Sequence, residues 1–333
     1  MTLDPRTPVL IGVGQMVQRA DGIDDALDPV AMMVEAIQRA ASDAGLGSVP
    51  APDAIRVVSL LSWNYGNSAR FIADDLGLSP RETGLSAMGG NTPQTLVNTA
   101  SREIAAGTVD LVILTGGETT RTRARMRKAG VEPQWRTTDE KPTLVSENLV
   151  MNMDEERARR IVMPIQIYPL FETALRARAG RSIADHQEHI SQLWSRFSQV
   201  AARNPYAWTQ KAFTAEEIRT PSATNRMIGF PYPKMMNSNN DVDMSAALIL
   251  CSAERATALG VARDKWIFPH SGSDAHEHPF VSHRQHFWDT PAISLAGRRV
   301  LELAGVGIDD IDIVDLYSCF PSAVQLGAQS LGL

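Results

Sequence analysis

The apolar pattern predicts an α/β protein with a largely parallel sheet and helices on its faces. Three observations lead there. Short apolar runs, many of them β-branched, recur at residues 8–14, 55–61, 110–114 and 246–251, as strands buried on both faces do. Stretches of helical period stand between the first three runs. Strand, helix and strand in alternation need crossover connections, and those place helices over a parallel sheet.

Each element follows from its residues. The run 8–14 is broken by Gly12 and Gly14. Asp28-Pro29 opens a helix, with proline in the first turn, where its missing N–H costs nothing. Val30, Met33, Val34, Ile37 and Ala41 keep helical spacing, and Gly45 stops them. Residues 68–76 make a second helix, stopped by Gly77, and Thr92-Pro93 begins a third that runs through Leu96, Ala100 and Ile104 to Gly107. Residues 119–240 hold much of the tryptophan and proline, a helix at 183–203 and no convincing strand. They read as a helical insertion between two strands of the sheet. After the strand 246–251 and a helix at 253–259, a second α/β stretch starts at Trp266-Ile267-Phe268. It continues with a helix at 291–304, a strand at 311–316 and a last helix at 322–331.

Composition narrows the function classes. At 333 residues the chain exceeds what one compact core usually holds. A formal net charge of −6 argues against a nucleic-acid surface or an anionic membrane as partner. No apolar run approaches the roughly 20 residues that span a bilayer, and Met1 to Arg6 lack a charged-then-apolar signal pattern. Two cysteines, Cys251 and Cys319, make no disulfide framework, so a reducing cytoplasm is the expected compartment. Cys251 sits in an apolar strand and reads as core.

Three stretches could carry chemistry. Met88-Gly89-Gly90-Asn91-Thr92-Pro93-Gln94 is a glycine turn entering a helix. Such a turn offers backbone N–H groups and the positive end of the helix dipole, or it is simply a tight loop packing helix on sheet. Five of the seven histidines lie between His270 and His286. His276-Glu277-His278 and Asp274 could supply metal ligands, but the spacing matches no tight zinc pattern and no cysteine joins it. No metal is expected, and the stretch reads as a solvated or site-facing loop. Arg121, Arg123, Arg125, Arg127 and Lys128 are either phosphate-pairing groups or a solvated face.

Order and spacing of several motifs resemble the thiolase superfamily, near the sterol-carrier-type thiolases, over essentially all 333 residues. In thiolases a nucleophilic cysteine sits at the glycine turn. An amphipathic helix ending Ile-x-x-Gly follows, then an apolar strand and a Gly-Gly-x-Glu-like segment. Here these read Ile104-Ala105-Ala106-Gly107, Leu111 to Leu114 and Gly116-Gly117-Glu118. The stretch Asp241-Val242-Asp243-Met244-Ser245-Ala246-Ala247 resembles the family's Asp-Gly-Ala-Ala strand start, with Asp243 as the aspartate. Asp315-Leu316-Tyr317-Ser318-Cys319-Phe320 is similar to the His-Asp-Cys-Phe turn of sterol-carrier-type relatives.

The resemblance sets expectations. The family spacing puts the cysteine position at Gly90, so the nucleophile-position turn is Gly89, Gly90, Asn91 and Thr92, and no acyl-thioester can form on glycine. Asn91 is no nucleophile, and Thr92 needs a nearby base. Tyr317, Ser318, Cys319 and His270 are the candidate catalytic residues, and His276 is a further candidate to face an acyl group. Cys319 reads either as a nucleophile or as a small buried apolar residue. Tyr317 reads either as the acid/base of a retro-aldolase or as a space-filler where a catalytic group was lost. The family's later histidine and second catalytic cysteine would lie beyond Leu333.

The expected architecture is a thiolase-like layered αβαβα fold with a helical loop-domain insertion and an incomplete C-terminal half. Its parts are residues 1–118 with 241–263, the loop domain 119–240, and the start of the C-terminal half at 264–333. The expected function is an acyl-CoA-binding, acyltransferase-like protein of lipid or sterol metabolism with doubtful Claisen activity. The alternatives are a tyrosine-dependent retro-aldolase on β-hydroxyacyl-CoA and a non-catalytic scaffold subunit. A CoA ester is the implied substrate or ligand, with no other cofactor. A homodimer is expected along the strand Leu111 to Leu114, taken as a sheet edge.

Overall fold

The computed structural model describes residues 3–146 and 148–333. Met1 and Thr2, which open the N-terminal stretch read for a signal, lie outside the described residues. The chain forms two compact units, residues 1–148 with 240–272 and residues 149–239 with 273–333.

In the first unit the chain runs β1 (Pro8–Val17), α1 (Pro29–Asp43), β2 (Ala54–Val57), α2 (Ser68–Leu76), β3 (Glu82–Leu85), α3 (Thr92–Ala106), β4 (Leu111–Thr119), α4 (Thr120–Ala129) and β5 (Thr143–Leu144). The second unit then takes α5 (Asp154–Ala158), α6 (Pro164–Arg178), α7 (Ile183–Ala201), α8 (Ala215–Arg219) and a hairpin of β6 (Met227–Gly229) and β7 (Tyr232–Pro233). The chain returns to the first unit for β8 (Asp243–Ser252) and α9 (Ala253–Ala258), and ends in the second with α10 (Pro291–Ala304) and α11 (Pro321–Leu331).

The six-stranded sheet has the order β1-β8-β4-β2-β3-β5. Strands β4, β2, β3 and β5 are mutually parallel, and β8 runs antiparallel to both β1 and β4. Side chains alternate across a strand, and the two faces build two cores. Leu111 and Ile113 of β4, Ile55 and Val57 of β2, and Ile249 and Cys251 of β8 join α1 and α2. Val112 and Leu114, Ala54 and Leu250 join Leu96, Ala100 and Ile104 of α3. The expected strand, helix and layer pattern of an α/β protein is thus present.

Local chemistry explains the helices that matter. Asp28 accepts the Ala31 N–H at 2.7 Å and caps α1. That helix approaches β1 so closely that a Cβ at Gly12 would sit 2.1 Å from the Ala40 carbonyl oxygen, and one at Gly14 would sit 2.0 Å from that of Ala36. Helix α3 ends at Gly107, whose φ of +72° favours glycine. Beneath α3 lies Arg56, only 2% exposed. Its guanidinium takes Glu82 of β3 through two contacts at 2.8 and 3.1 Å and Glu103 of α3 at 2.7 Å. The Glu103 contact is an ion pair.

Several sequence expectations are corrected. Leu111 to Leu114 is no sheet edge, because β8 and β2 flank β4. The helical insertion contains the β6–β7 hairpin, and β5 pairs with β3. The second run ends at Val57 as a strand, and residues 58–61 leave the sheet. Trp266 to Phe268 makes only one bridge, Ile267 to Leu10. Residues 311–316 form no strand. A strand is made by its neighbours' hydrogen bonds, and among the described residues no strand pairs there, leaving Ile313 88% exposed.

Asp53 ties the strand starts together. Its carboxylate accepts the N–H groups of Asp110 at 2.6 Å and Leu111 at 3.1 Å, and Arg81 lies at 3.0 Å. Burial alone would raise its pKa, but these donors outweigh burial and hold it below the ordinary aspartate range. A depressed folded-state pKa adds stability above the unfolded-state value, and that stability fades as pH falls through the folded one. Asp53→Asn should therefore cost about 1–3 kcal/mol at neutral pH. In denaturant titrations the gap to wild type should close as pH drops below about 4; a gap unchanged to pH 2 or so would remove this role.

Candidate functional site

The glycine turn stands at the start of α3, in the first unit. Met88, Gly90 and Asn91 are exposed, and Thr92 is buried. Ser146 Oγ accepts the Ala87 N–H at 2.8 Å, and Asn148 Oδ1 accepts that of Met88 at 3.2 Å, so the segment after β5 holds the turn's approach. Asn91 stands at the helix N-cap but makes no side-chain cap bond. The first donors of α3 close back on the turn: Thr92 N–H meets the Gly89 carbonyl at 3.2 Å, Gln94 N–H meets that of Asn91 at 3.1 Å, and Pro93 has none to give. Fewer donors face outward here than a bare helix start would present. The Thr92 hydroxyl donates to the Gly89 carbonyl at 2.8 Å.

Other expected residues of this unit take structural parts. Glu118 accepts the N–H groups of Leu61 at 2.6 Å and Ser62 at 2.9 Å. Asp243, fully buried, accepts the N–H of Thr122 at 3.1 Å and its hydroxyl at 2.7 Å, capping the first turn of α4 from β8. Arg121 and Arg125 of α4 donate to the Ala20 carbonyl at 3.0 and 2.7 Å. The Arg123 guanidinium lies over Trp63 at 5.2 Å and Trp135 at 5.8 Å. His270 is exposed, and two residues on the backbone of Gly272 abuts α3, where a Cβ would lie 2.4 Å from Asn98 Oδ1. Asn98 also accepts from Gln94, one turn nearer the helix start, at 3.0 Å.

The second unit holds Tyr317, Ser318 and Cys319 together on the approach to α11. Tyr317 is 60% exposed, Ser318 is exposed and Cys319 is half-buried. Partial burial, and the neighbouring Cys319, push the Tyr317 phenol above its usual pKa. Burial also raises the Cys319 thiol, against the lowering effect of its bond with Tyr168. The next residue, Phe320, is the anchor: its buried ring stacks on Tyr168 at 4.4 Å and meets Tyr232 at 5.4 Å. The Ser238 N–H donates to the Cys319 carbonyl at 3.0 Å.

Sequence reasoning missed what lies behind that anchor. Glu172 of α6 is fully buried, with Tyr232 Oη at 2.7 Å and His186 Nε2 at 2.6 Å. Gln325 of α11 donates to it at 2.8 Å. The signal was faint: Glu172 and His186 stand on helix faces that also carry Phe171, Leu175 and Ile190, where polar residues are out of pattern. The histidine-rich stretch forms ring contacts instead, His278 with His283 at 4.7 Å and His286 with Trp288 at 4.3 Å. Among the described residues no group of three His, Cys, Asp or Glu could hold a metal. None of their helices is long and apolar enough to cross a membrane.

The sheet and its helices have the thiolase-like α/β fold that the sequence resemblance implied. The comparisons with known proteins agree. A monomeric sterol-carrier-type thiolase-like protein (type 1) from Mycobacterium smegmatis is 32% identical, with a TM-score of 0.82 over 99% of this chain and 64% of its own. The Ltp2–ChsH2 aldolase, with its DUF35 component, matches at 18% identity and a TM-score of 0.71, over 98% of this chain and 77% of its own. Human mitochondrial 3-ketoacyl-CoA thiolase in complex with CoA matches at 16% and 0.61, over 98% and 83%. These last two show the fold alone. Among curated proteins, a benzoylsuccinyl-CoA thiolase subunit, BbsB of Thauera aromatica, is 23% identical over 146 residues, 44% of this chain and 36% of its own. The chain thus spans less than two thirds of the length of either sequence relative. No protein-family model matches.

Phe320 bears the packing of the Tyr-Ser-Cys-Phe turn. Phe320→Ala should cost the second unit about 3–5 kcal/mol, as a large core truncation does. A denaturation midpoint within error of wild type would show that the ring stack is dispensable.

Proposed function

We propose that this chain binds a CoA ester in a thiolase-like manner and handles it without an acyl-cysteine intermediate. The turn at residues 88–92 carries the reading. By the family resemblance the acylated position falls at Gly90, and the Thr92 hydroxyl beside it donates to the Gly89 carbonyl. Support comes from two similar proteins, the human thiolase in complex with CoA and the benzoylsuccinyl-CoA thiolase subunit. A lipid or sterol acyl group is the class of ester the resemblance implies. Calorimetric titration with acetyl-CoA and a longer acyl-CoA should show binding, while intact-protein mass spectrometry after incubation shows no added acyl group. An ester on Thr92 or Cys319 would overturn the non-covalent reading, and silence in the calorimeter at millimolar ligand would end the CoA reading altogether.

One observation favours a second reading, cleavage of a β-hydroxyacyl-CoA by a retro-aldol step. The Ltp2–ChsH2 aldolase shares the fold, and Tyr317 stands exposed beside Cys319. A phenol whose pKa is raised stays protonated near pH 7. In that form it can donate a hydrogen bond but cannot take a proton from a β-hydroxyl, which ranks this reading second. Tyr317→Phe should leave ester binding within about twofold, since the hydroxyl lends a single hydrogen bond at an exposed site. Cleavage of a β-hydroxyacyl-CoA, followed by release of the ketone, should be lost in that variant if the aldol reading holds and absent from wild type if it does not.

With β4 interior to the sheet, the expected homodimer loses the edge it was drawn along. A single copy is the state we favour, as in the Mycobacterium smegmatis relative.

A further inference from the structure

Behind the Tyr-Ser-Cys-Phe turn, the second unit buries a polar chain that packing alone does not require. Glu172 is 0% exposed, and His186 is 1% exposed. A carboxylate in such a place survives as an ion only when donors surround it. Three elements supply them: Tyr232 from β7, His186 from α7 and Gln325 from α11. Tyr232 Oη also lies 2.9 Å from Ser322 Oγ. A phenol has one proton, and the carboxylate takes it, so the serine hydroxyl is the donor to Tyr232. Ser322 stands at the start of α11, whose N-cap residue Phe320 makes no side-chain cap bond. The start of that helix is therefore held from the side, through Ser322 and Tyr232, by Glu172. The same Tyr232 ring flanks Phe320, one residue after Cys319.

We infer that Glu172 is a positioning residue: acting through Tyr232 and Ser322, it fixes the turn that presents Tyr317, Ser318 and Cys319. His186 Nε2 meets the same carboxyl group at 2.6 Å. Among the described residues its own Nδ1 is buried without a hydrogen-bond partner, a cost that a merely space-filling side chain at this position would not carry. The inference rests on the proposed function only in taking this turn as part of the ester site. The clasp itself is independent of any ligand.

The two cysteines make the experiment. Cys319 is half-buried on the turn, and Cys251 is fully buried in β8 of the other unit, so alkylation of Cys319 reads the turn and alkylation of Cys251 reads unfolding. With iodoacetamide under native conditions, Glu172→Gln should speed Cys319 modification about fivefold or more, the scale of losing a hydrogen bond to a charged group. Tyr232→Phe, which removes one hydroxyl and keeps the ring, should move it the same way and remains informative if Glu172→Gln fails to fold. Cys251 should stay unmodified in both. Val281→Ala, a truncation in the separate cluster of Phe171, Leu175 and Leu326, should lower the melting temperature yet leave the Cys319 rate at the wild-type value. If Val281→Ala accelerates Cys319 as much as the clasp variants do, or if Cys251 reacts in step, the clasp is ordinary stabilisation and positioning is overturned. Unchanged Cys319 rates in both clasp variants would overturn it as well. A saturating CoA ester should slow Cys319 alkylation in wild type; lack of that protection would count against the ester site and leave the clasp result standing.

Discussion

Charge sealed under α3 is the constraint on which the first unit turns. Arg56 projects from the middle of the sheet into a layer otherwise built from Leu96, Ala100, Ile104, Val112 and Leu114. Its desolvation is affordable only because Glu82 and Glu103 approach it from two sides. The burial that would depress its pKa is outweighed by those two carboxylates. Because one partner is on β3 and the other on α3, the clasp sets where α3 lies across the sheet. The turn at residues 88–92 connects those same two elements, so its position follows from a charge balance about three helical turns away.

The second unit solves a related problem with different chemistry. Its buried carboxyl group, Glu172, is met by hydroxyl and amide donors and a histidine rather than by arginine. Arginine brings a planar fork and fixes elements rigidly, whereas hydroxyl donors pass the constraint along a chain of single bonds. That arrangement suits a short turn lacking a regular strand beside it, as residues 311–316 are here.

How much of this was legible depended on where each signal is encoded. Runs such as 110–114 and 246–251 announce strands, because burial on both faces demands continuous apolar residues. Gly77 and Gly107 announce helix ends, because their backbone must turn left-handed. By contrast Glu82-Thr83-Gly84-Leu85 carries no apolar run, and only its pairing with β2 and β5 makes it a strand. Residues 311–316 show the converse: the composition of a strand without partners to complete it. The order of the two candidate turns, the glycine turn and the Tyr-Ser-Cys-Phe segment, could be read along the chain. Glu172 and His186 could not, since one charged residue on an amphipathic helix resembles a solvated one until its neighbours in space are known.

The placement of β4 has a kinetic corollary. Val112, Ile113 and Leu114 lie between two hydrogen-bonded strands and under helices on both faces. Their amide protons can reach deuterated solvent only when the whole unit opens. The two-residue β5 at the rim has one neighbour and exposed side chains, so its amides exchange through local fraying. Deuterium uptake along this sheet should then run from rim to centre, with β4 serving as the clock for global opening.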